Sequence, residues 1–224
     1  ARIDCTVRKK GENQCVGFVA SLINDSYAPG GERLLEPVAS LLGELVCDPV
    51  TERGRFVSAY FDSEKANLID AIRSILNDKR EYAEGRLLRE MCSGEAYGIP
   101  RLGDDKSAER IQPQKLYSLY RRLIGSSRLE LFYSGSASRE RVEQALGAAF
   151  AALPREDVRG IAPAAVHPAR ETPYSVSEEL DVTQGKLGMG FACGSEDHMA
   201  LLAGNTLFGG SSNSKLFLNV REKL

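Results

Sequence analysis

Few residues in this 224-residue chain could do covalent or metal chemistry, and their spacing limits what that chemistry is. The two histidines are His167, in a proline-rich segment, and His198, at an expected helix start; neither has a second histidine at i+4, so no helical two-histidine metal face can form. Each is expected to be exposed or to sit at a cap. Cys5, Cys15, Cys47, Cys92 and Cys193 are odd in number and contain no C-x-x-C pair, which suits reduced, mostly buried thiols in a cytoplasmic protein better than a disulfide framework or a zinc knuckle. The carboxylate pairs Asp104-Asp105 and Glu178-Glu179 fall in polar surroundings and read as solvated charge rather than an acid/base couple. No serine stands in a nucleophile elbow with a histidine and an acid to activate it.

The stretch with most binding potential is Phe208-Gly209-Gly210-Ser211-Ser212-Asn213-Ser214, between two apolar helical patterns. Gly209 and Gly210 permit positive φ or close approach of another backbone. Ser211, Ser212, Asn213 and Ser214 are N-cap types, and Leu216, Phe217 and Val220 recur behind them, so a helix is expected to begin near Ser212. Free amides there could hold a carboxylate, a phosphate or a peptide backbone, although the local residues by themselves favour a plain glycine-rich helix corner.

The elements that must position this stretch follow from periodicity. Residues 2 to 8 and 14 to 23 alternate around Lys10-Gly11-Glu12-Asn13 and predict a hairpin. Leu34 to Val46 predicts a helix stopped by Asp48-Pro49, with Pro37 in its first turn. Phe56 to Met91 is helical with an interruption at Asn77-Asp78-Lys79-Arg80; further helices begin at Pro113 and behind Ser138. Residues 128 to 133 alternate like a strand, and 174 to 182 with 187 to 193 like a second hairpin, followed by a helix from Asp197 to Phe208. Hairpin, loop and helix thus occur twice. We expect α+β architecture, a mostly antiparallel sheet with helices on one face, organised as a first module (1–153), a proline-rich linker (154–173) and the start of a second, truncated module (174–224).

Net charge of −2 gives no reason to expect nucleic acid or an anionic membrane, and no apolar run reaches bilayer-spanning length. A soluble protein is expected, and the cysteine pattern places it in the cytoplasm.

Several segments together resemble the pitrilysin or insulinase-type metallopeptidases, which include the mitochondrial processing peptidases: Glu64-Lys65-Ala66-Asn67-Leu68, Asn77 to Ala83, Met91 to Gly98, Thr183 to Leu187, and Phe208-Gly209-Gly210 through Ser214-Lys215-Leu216-Phe217 to Val220-Arg221-Glu222-Lys223. The similarity is greatest to a bacterial branch of probable inactive members. The resemblance implies paired α+β modules closing around a peptide chamber, and an H-x-x-E-H zinc motif in active members. Residues of that motif are missing here, and family spacing from Glu64 puts the third metal ligand at Ala71, which cannot bind metal. The implied role is a non-catalytic subunit with no cofactor, pairing with an active zinc-peptidase paralogue around peptide or unfolded polypeptide, or forming a homodimer in isolation. Two alternatives stand beside it: a zinc endopeptidase whose motif lies upstream of Ala1, and a scaffold without peptide binding. The resemblance also assigns substrate contact to Gly209, Gly210, Ser211, Ser212 and Asn213, and to Arg221; the tyrosine that accompanies this arginine in the family falls at position 228, past the last residue.

Overall fold

A computed structural model describes residues 1–158, 160–161, 171–192, 197–221 and 223. Two compact units divide the chain: Ala1–Ala165 with Gly185–Gly188, and Val166–Gln184 with Met189–Leu224.

The first unit opens with the antiparallel hairpin β1 (Arg2–Lys10) and β2 (Asn13–Ser21), in which Val7 faces Val16 and Lys9 faces Gln14. Its two-residue turn works because Gly11 takes φ +60°, a conformation a side chain disfavours. Helix α1 (Leu35–Cys47) follows, with Pro37 in its first turn, where the missing N–H would have had no acceptor. A second, shorter hairpin, β3 (Thr51–Glu52) with β4 (Arg55–Phe56), was not anticipated; Arg53 and Gly54 both take positive φ, as a type I′ turn requires. The expected long helix divides as its sequence implied, into α2 (Ser58–Ser74), a 3-10 turn at Ile75–Asn77 and α3 (Lys79–Met91), whose N-cap Asp78 accepts from the amides of Arg80 and Glu81. Those two amide bonds hold the Asp78 carboxyl below the usual carboxylate range. Then come α4 (Asp105–Glu109), α5 (Pro113–Ser126, with proline at its start) and α6 (Arg139–Ala149, capped by the Ser138 hydroxyl).

The core is small and helical. Leu35, Val38, Ala39 and Val46 of α1, Phe61 of α2, Ala108 of α4 and Val142 of α6 are buried. Helices α1 and α6 pack so closely at Gly43 that a Cβ there would overlap the carbonyl oxygen of Ala149. One end of this pair is locked electrostatically. Arg141 donates from Nε and Nη2 to both oxygens of Glu36, each at 2.7 Å, and from Nη1 to Asp25 at 2.6 Å, while Asp25 also accepts from the Leu34 amide. The Arg141 hydrogen bonds pull Glu36 down to about 2; the Leu34 amide and then Arg141 lower Asp25. A second clamp holds the loop after α3: Lys9 Nζ donates to the carbonyls of Ala96, Tyr97 and Ile99 at 2.6 to 2.8 Å, and its cross-strand neighbour Gln14 donates to that of Arg101.

Two strand expectations are corrected. Neither residues 128–133 nor the described residues of 174–193 join a ladder. Alternation marks a segment fit for a sheet, but a strand exists only beside a hydrogen-bonded neighbour, and none lies beside these segments among the described residues. Their apolar side chains are accordingly exposed, Phe132 at 87% and Leu187 at 85%. In the second unit α7 (His198–Phe208) forms where expected, capped by the Asp197 carboxylate accepting from the Ala200 amide. No helix among the described residues is long and apolar enough to cross a membrane. Half of the expected linker falls outside the described residues, as do His167, Cys193 and Glu222. The thiols, expected to be mostly buried, are not: Cys5 and Cys15 are exposed, and Cys47 and Cys92 are half-buried.

Candidate functional site

The candidate site lies wholly in the second unit, between the end of α7 and a helical turn that begins at Lys215 and is π-helical over Phe217–Arg221. The amides of Gly209 and Gly210 both donate to the carbonyl of Asn205, at 2.9 and 3.0 Å, and so finish α7. Neither glycine takes positive φ; Gly209 sits at φ −146°. Of the two uses of glycine that the sequence allowed, positive φ and close approach, the second applies here. A Cβ on Gly210 would stand 2.9 Å from Thr206 Cα and 3.3 Å from the Asn205 carbonyl oxygen, both backbone atoms that cannot swing aside. On Gly209 it would meet only the end of the Leu216 side chain at 3.4 Å.

The helical turn starts three residues later than expected, at Lys215, because Ser214 does the capping. Ser214 is buried; its hydroxyl accepts from the Phe217 amide (3.3 Å), its carbonyl from the Leu218 amide (3.0 Å), and its own amide donates to the Ser211 carbonyl (3.0 Å). The sequence signal was there, a serine three residues ahead of an apolar helical position, but three neighbouring cap types hid which one was used. Ser211, Ser212 and Asn213 are exposed, and their amides have no acceptor among the described residues. They form a short row of free donors.

Arg221 closes the π-helical turn. Its guanidinium lies over the Phe217 ring, 5.0 Å from the centroid, and no carboxylate pairs with it among the described residues. At an exposed position such a contact is worth ~0.5–1 kcal/mol, little enough for a competing ligand to exchange. Phe208, at the other end of the loop, meets Phe191 edge-on at 6.0 Å. The loop is thus flanked by two aromatic anchors, and the donors and the arginine lie between and beyond them. Phe191 and Phe217 were not in the sequence-derived set; Phe191 stands 17 residues before Phe208, which no local pattern links, whereas Phe217 lies one helical turn before Arg221, a spacing that could have signalled their contact.

The metal expectation is tested in the first unit. Glu64 and Ala71 lie two turns apart on α2, both exposed. Ala71, which the resemblance sets at the third-ligand position, carries only a methyl group. Among the described residues no group of three His, Cys, Asp or Glu could hold a metal ion. Of the carboxylate pairs, Asp104 proves to be the N-cap of α4, held low by the Ser107 hydroxyl and amide; Asp105 pairs with Arg73 at 3.6 Å.

Residues 110–224 match the model of the peptidase M16 inactive domain, just over half of the chain. The chain belongs to this family. It is 33% identical over 225 residues to the "Probable inactive metalloprotease YmfF" of Bacillus subtilis (strain 168), an alignment covering 99% of this chain and 52% of that protein. Among solved structures it resembles a conserved protein from Enterococcus faecalis V583, with 25% identity and a TM-score of 0.77 over 99% of this chain and 53% of the other. It also shares the fold of the peptidase M16 inactive domain from Pseudomonas fluorescens, at 19% identity and a TM-score of 0.61, over 99% of this chain and 51% of that one. The chain spans about half the length of these relatives. It is a chain of the peptidase M16 inactive domain family with an α+β fold.

Proposed function

We propose that this chain acts within a non-catalytic subunit that pairs with an active zinc-peptidase paralogue in the cytoplasm and helps to enclose and position peptide. The observation that carries this reading is Ala71. The helix that ought to supply a metal ligand is intact and solvent-facing, yet holds a methyl group at the ligand position, so the residues present do not fit zinc and no step is routed through it.

What the chain retains suits peptide handling. The exposed amides of Ser211, Ser212 and Asn213 can donate to peptide carbonyls, and Gly210 keeps side-chain bulk off α7 at that point. Arg221 can exchange its ring contact for a backbone carbonyl or a carboxylate. Contacts of this kind read main chain rather than side chains, giving affinity with little sequence preference.

The test is co-expression of the full-length protein with the M16 peptidase encoded in the same genome. A stable complex is expected, with peptide cleavage by the partner changed on pairing, and Arg221→Ala should weaken peptide binding about tenfold, or ~1.4 kcal/mol. A protein that stays alone and leaves the paralogue's cleavage untouched would sink the proposal. Stoichiometric zinc with chelator-sensitive hydrolysis by the isolated full-length protein would do the same.

A further inference from the structure

Helix α5 carries three cations, Lys115, Arg121 and Arg122, and no carboxylate in its 14 residues. Most helical arginines elsewhere in the first unit find acids: Arg73 meets Asp105 and Glu109, Arg80 meets Glu84, Arg139 meets Glu143, and Arg141 meets Asp25 and Glu36, with Arg89 of α3 the exception. The three cations of α5 have no such partner among the described residues.

The helix's orientation is fixed by its other face. Phe56 meets Tyr117 and Tyr120 edge-on at 5.3 and 5.7 Å, and the Tyr120 hydroxyl donates to the Val46 carbonyl at 2.5 Å. Lys115, Leu119 and Arg122, at i, i+4 and i+7, are thereby turned outward, and with Gln112, Gln114 and Ser118 they line an open groove. Leu119 is half exposed and Leu123, beside it, nearly so. The hairpin β3–β4 packs through Phe56 against the opposite, tyrosine-bearing face of α5, and Glu156 comes in only at the far end, beside Gly125. The strip is therefore cationic at both ends and apolar in the middle.

We infer that this strip is a docking surface for an acidic amphipathic helix of a partner protein, independently of the peptide-handling role proposed above. Seven residues of helix separate Lys115 from Arg122 by about 10.5 Å. A helix with carboxylates at i and i+7 repeats that distance, and an apolar residue at i+3 or i+4 then lands on Leu119. Charge complementarity selects this occupant. The whole chain carries −2, so an extended polyanion such as a nucleic acid or an anionic membrane meets repulsion outside the strip, whereas one short helix covers only the positive part.

The test is fluorescence anisotropy of the full chain with a labelled 18-residue helical peptide that has Glu at i and i+7 and Leu at i+3 and i+4. Saturable binding is expected with Kd of ~10–100 μM at low salt, the range for one small helix face. Lys115→Glu with Arg122→Glu should weaken it at least tenfold, as should ~0.5 M salt; a peptide with Lys in place of those Glu residues should bind the doubly substituted protein and not the original. Leu119→Ser provides a second probe that leaves charge alone and should also weaken binding. Absence of saturable binding, equal binding of a scrambled peptide, indifference to the charge reversal, or tighter binding of duplex DNA or phosphatidylserine vesicles at this strip would overturn the inference.

Discussion

Two glycines in one helix pair should respond to alanine with opposite sign. Gly43 of α1 packs directly against α6: a Cβ there would overlap the Ala149 carbonyl oxygen and stand 2.8 Å from its carbonyl carbon and 3.1 Å from its Cβ. Ordinary carbon contacts lie near 3.5–4.0 Å, so the helices must part by the better part of an ångström, along the face where Val38, Ala39, Val46 and Val142 are buried. Overpacking of this kind costs ~1–3 kcal/mol. Alanine's better helix propensity returns ~0.5–1 kcal/mol. The net expectation for Gly43→Ala is a loss of ~1–2 kcal/mol. Gly147, on α6 itself, is exposed and has nothing within 4 Å of where its Cβ would be, so Gly147→Ala collects the propensity gain alone and should stabilise by ~0.5–1 kcal/mol. The gap between the two, ~2–3 kcal/mol, corresponds to roughly 4–12 °C in Tm for a chain of this size. Urea denaturation followed by circular dichroism, with both midpoint and slope recorded, measures it. If Gly43→Ala proves as stable as Gly147→Ala, the close approach of α1 and α6 is wrong.

Acid should reveal the Arg141 lock. Glu36 and Asp25 titrate lower folded than unfolded, so their contribution is present above the usual carboxylate range and is lost as pH falls toward about 2; Arg141→Met should raise the midpoint of acid unfolding, read by circular dichroism between pH 5 and 2, while changing stability least below pH 2. Removing Lys9 should free the loop after α3. Lys9→Met leaves the carbonyls of Ala96, Tyr97 and Ile99 without their shared donor, and trypsin cleavage after Arg101, with amide exchange across 96–101, should accelerate several-fold, a local opening cheaper by ~1–2 kcal/mol; unchanged protection would mean that the loop is held by other contacts.

Legibility in the sequence depended on how local each determinant was. The β1–β2 hairpin could be read because alternation and Gly11 sit in one stretch; Pro113, Ser138 and Asp197 marked helix starts through groups that act within three residues of themselves. The β3–β4 hairpin escaped because two-residue strands carry no periodicity, although Arg53-Gly54 was a turn signal. Residues 128–133 erred the other way, with a clear period and no partner strand. At the candidate site, residue types gave the loop but not its geometry: Gly210 is needed for its approach to Thr206, and Ser214 rather than Ser212 caps. Least legible were the clamps. The acceptors of Lys9 are main-chain carbonyls 87 to 90 residues away, which no side-chain pattern announces.

The first hairpin's two strands differ in a way that governs how this protein behaves at high concentration. With order β1-β2 and no third strand among the described residues, each exposes one unpaired row of amides and carbonyls. β1 carries Arg2, Asp4, Arg8, Lys9 and Lys10, charges that deter a second strand from settling alongside; β2, from Asn13 to Ser21, carries none and includes the exposed Val16, Phe18 and Val19. Self-association by edge pairing therefore has a preferred side, and a single lysine at Val19 would give β2 the gatekeeper that β1 already possesses.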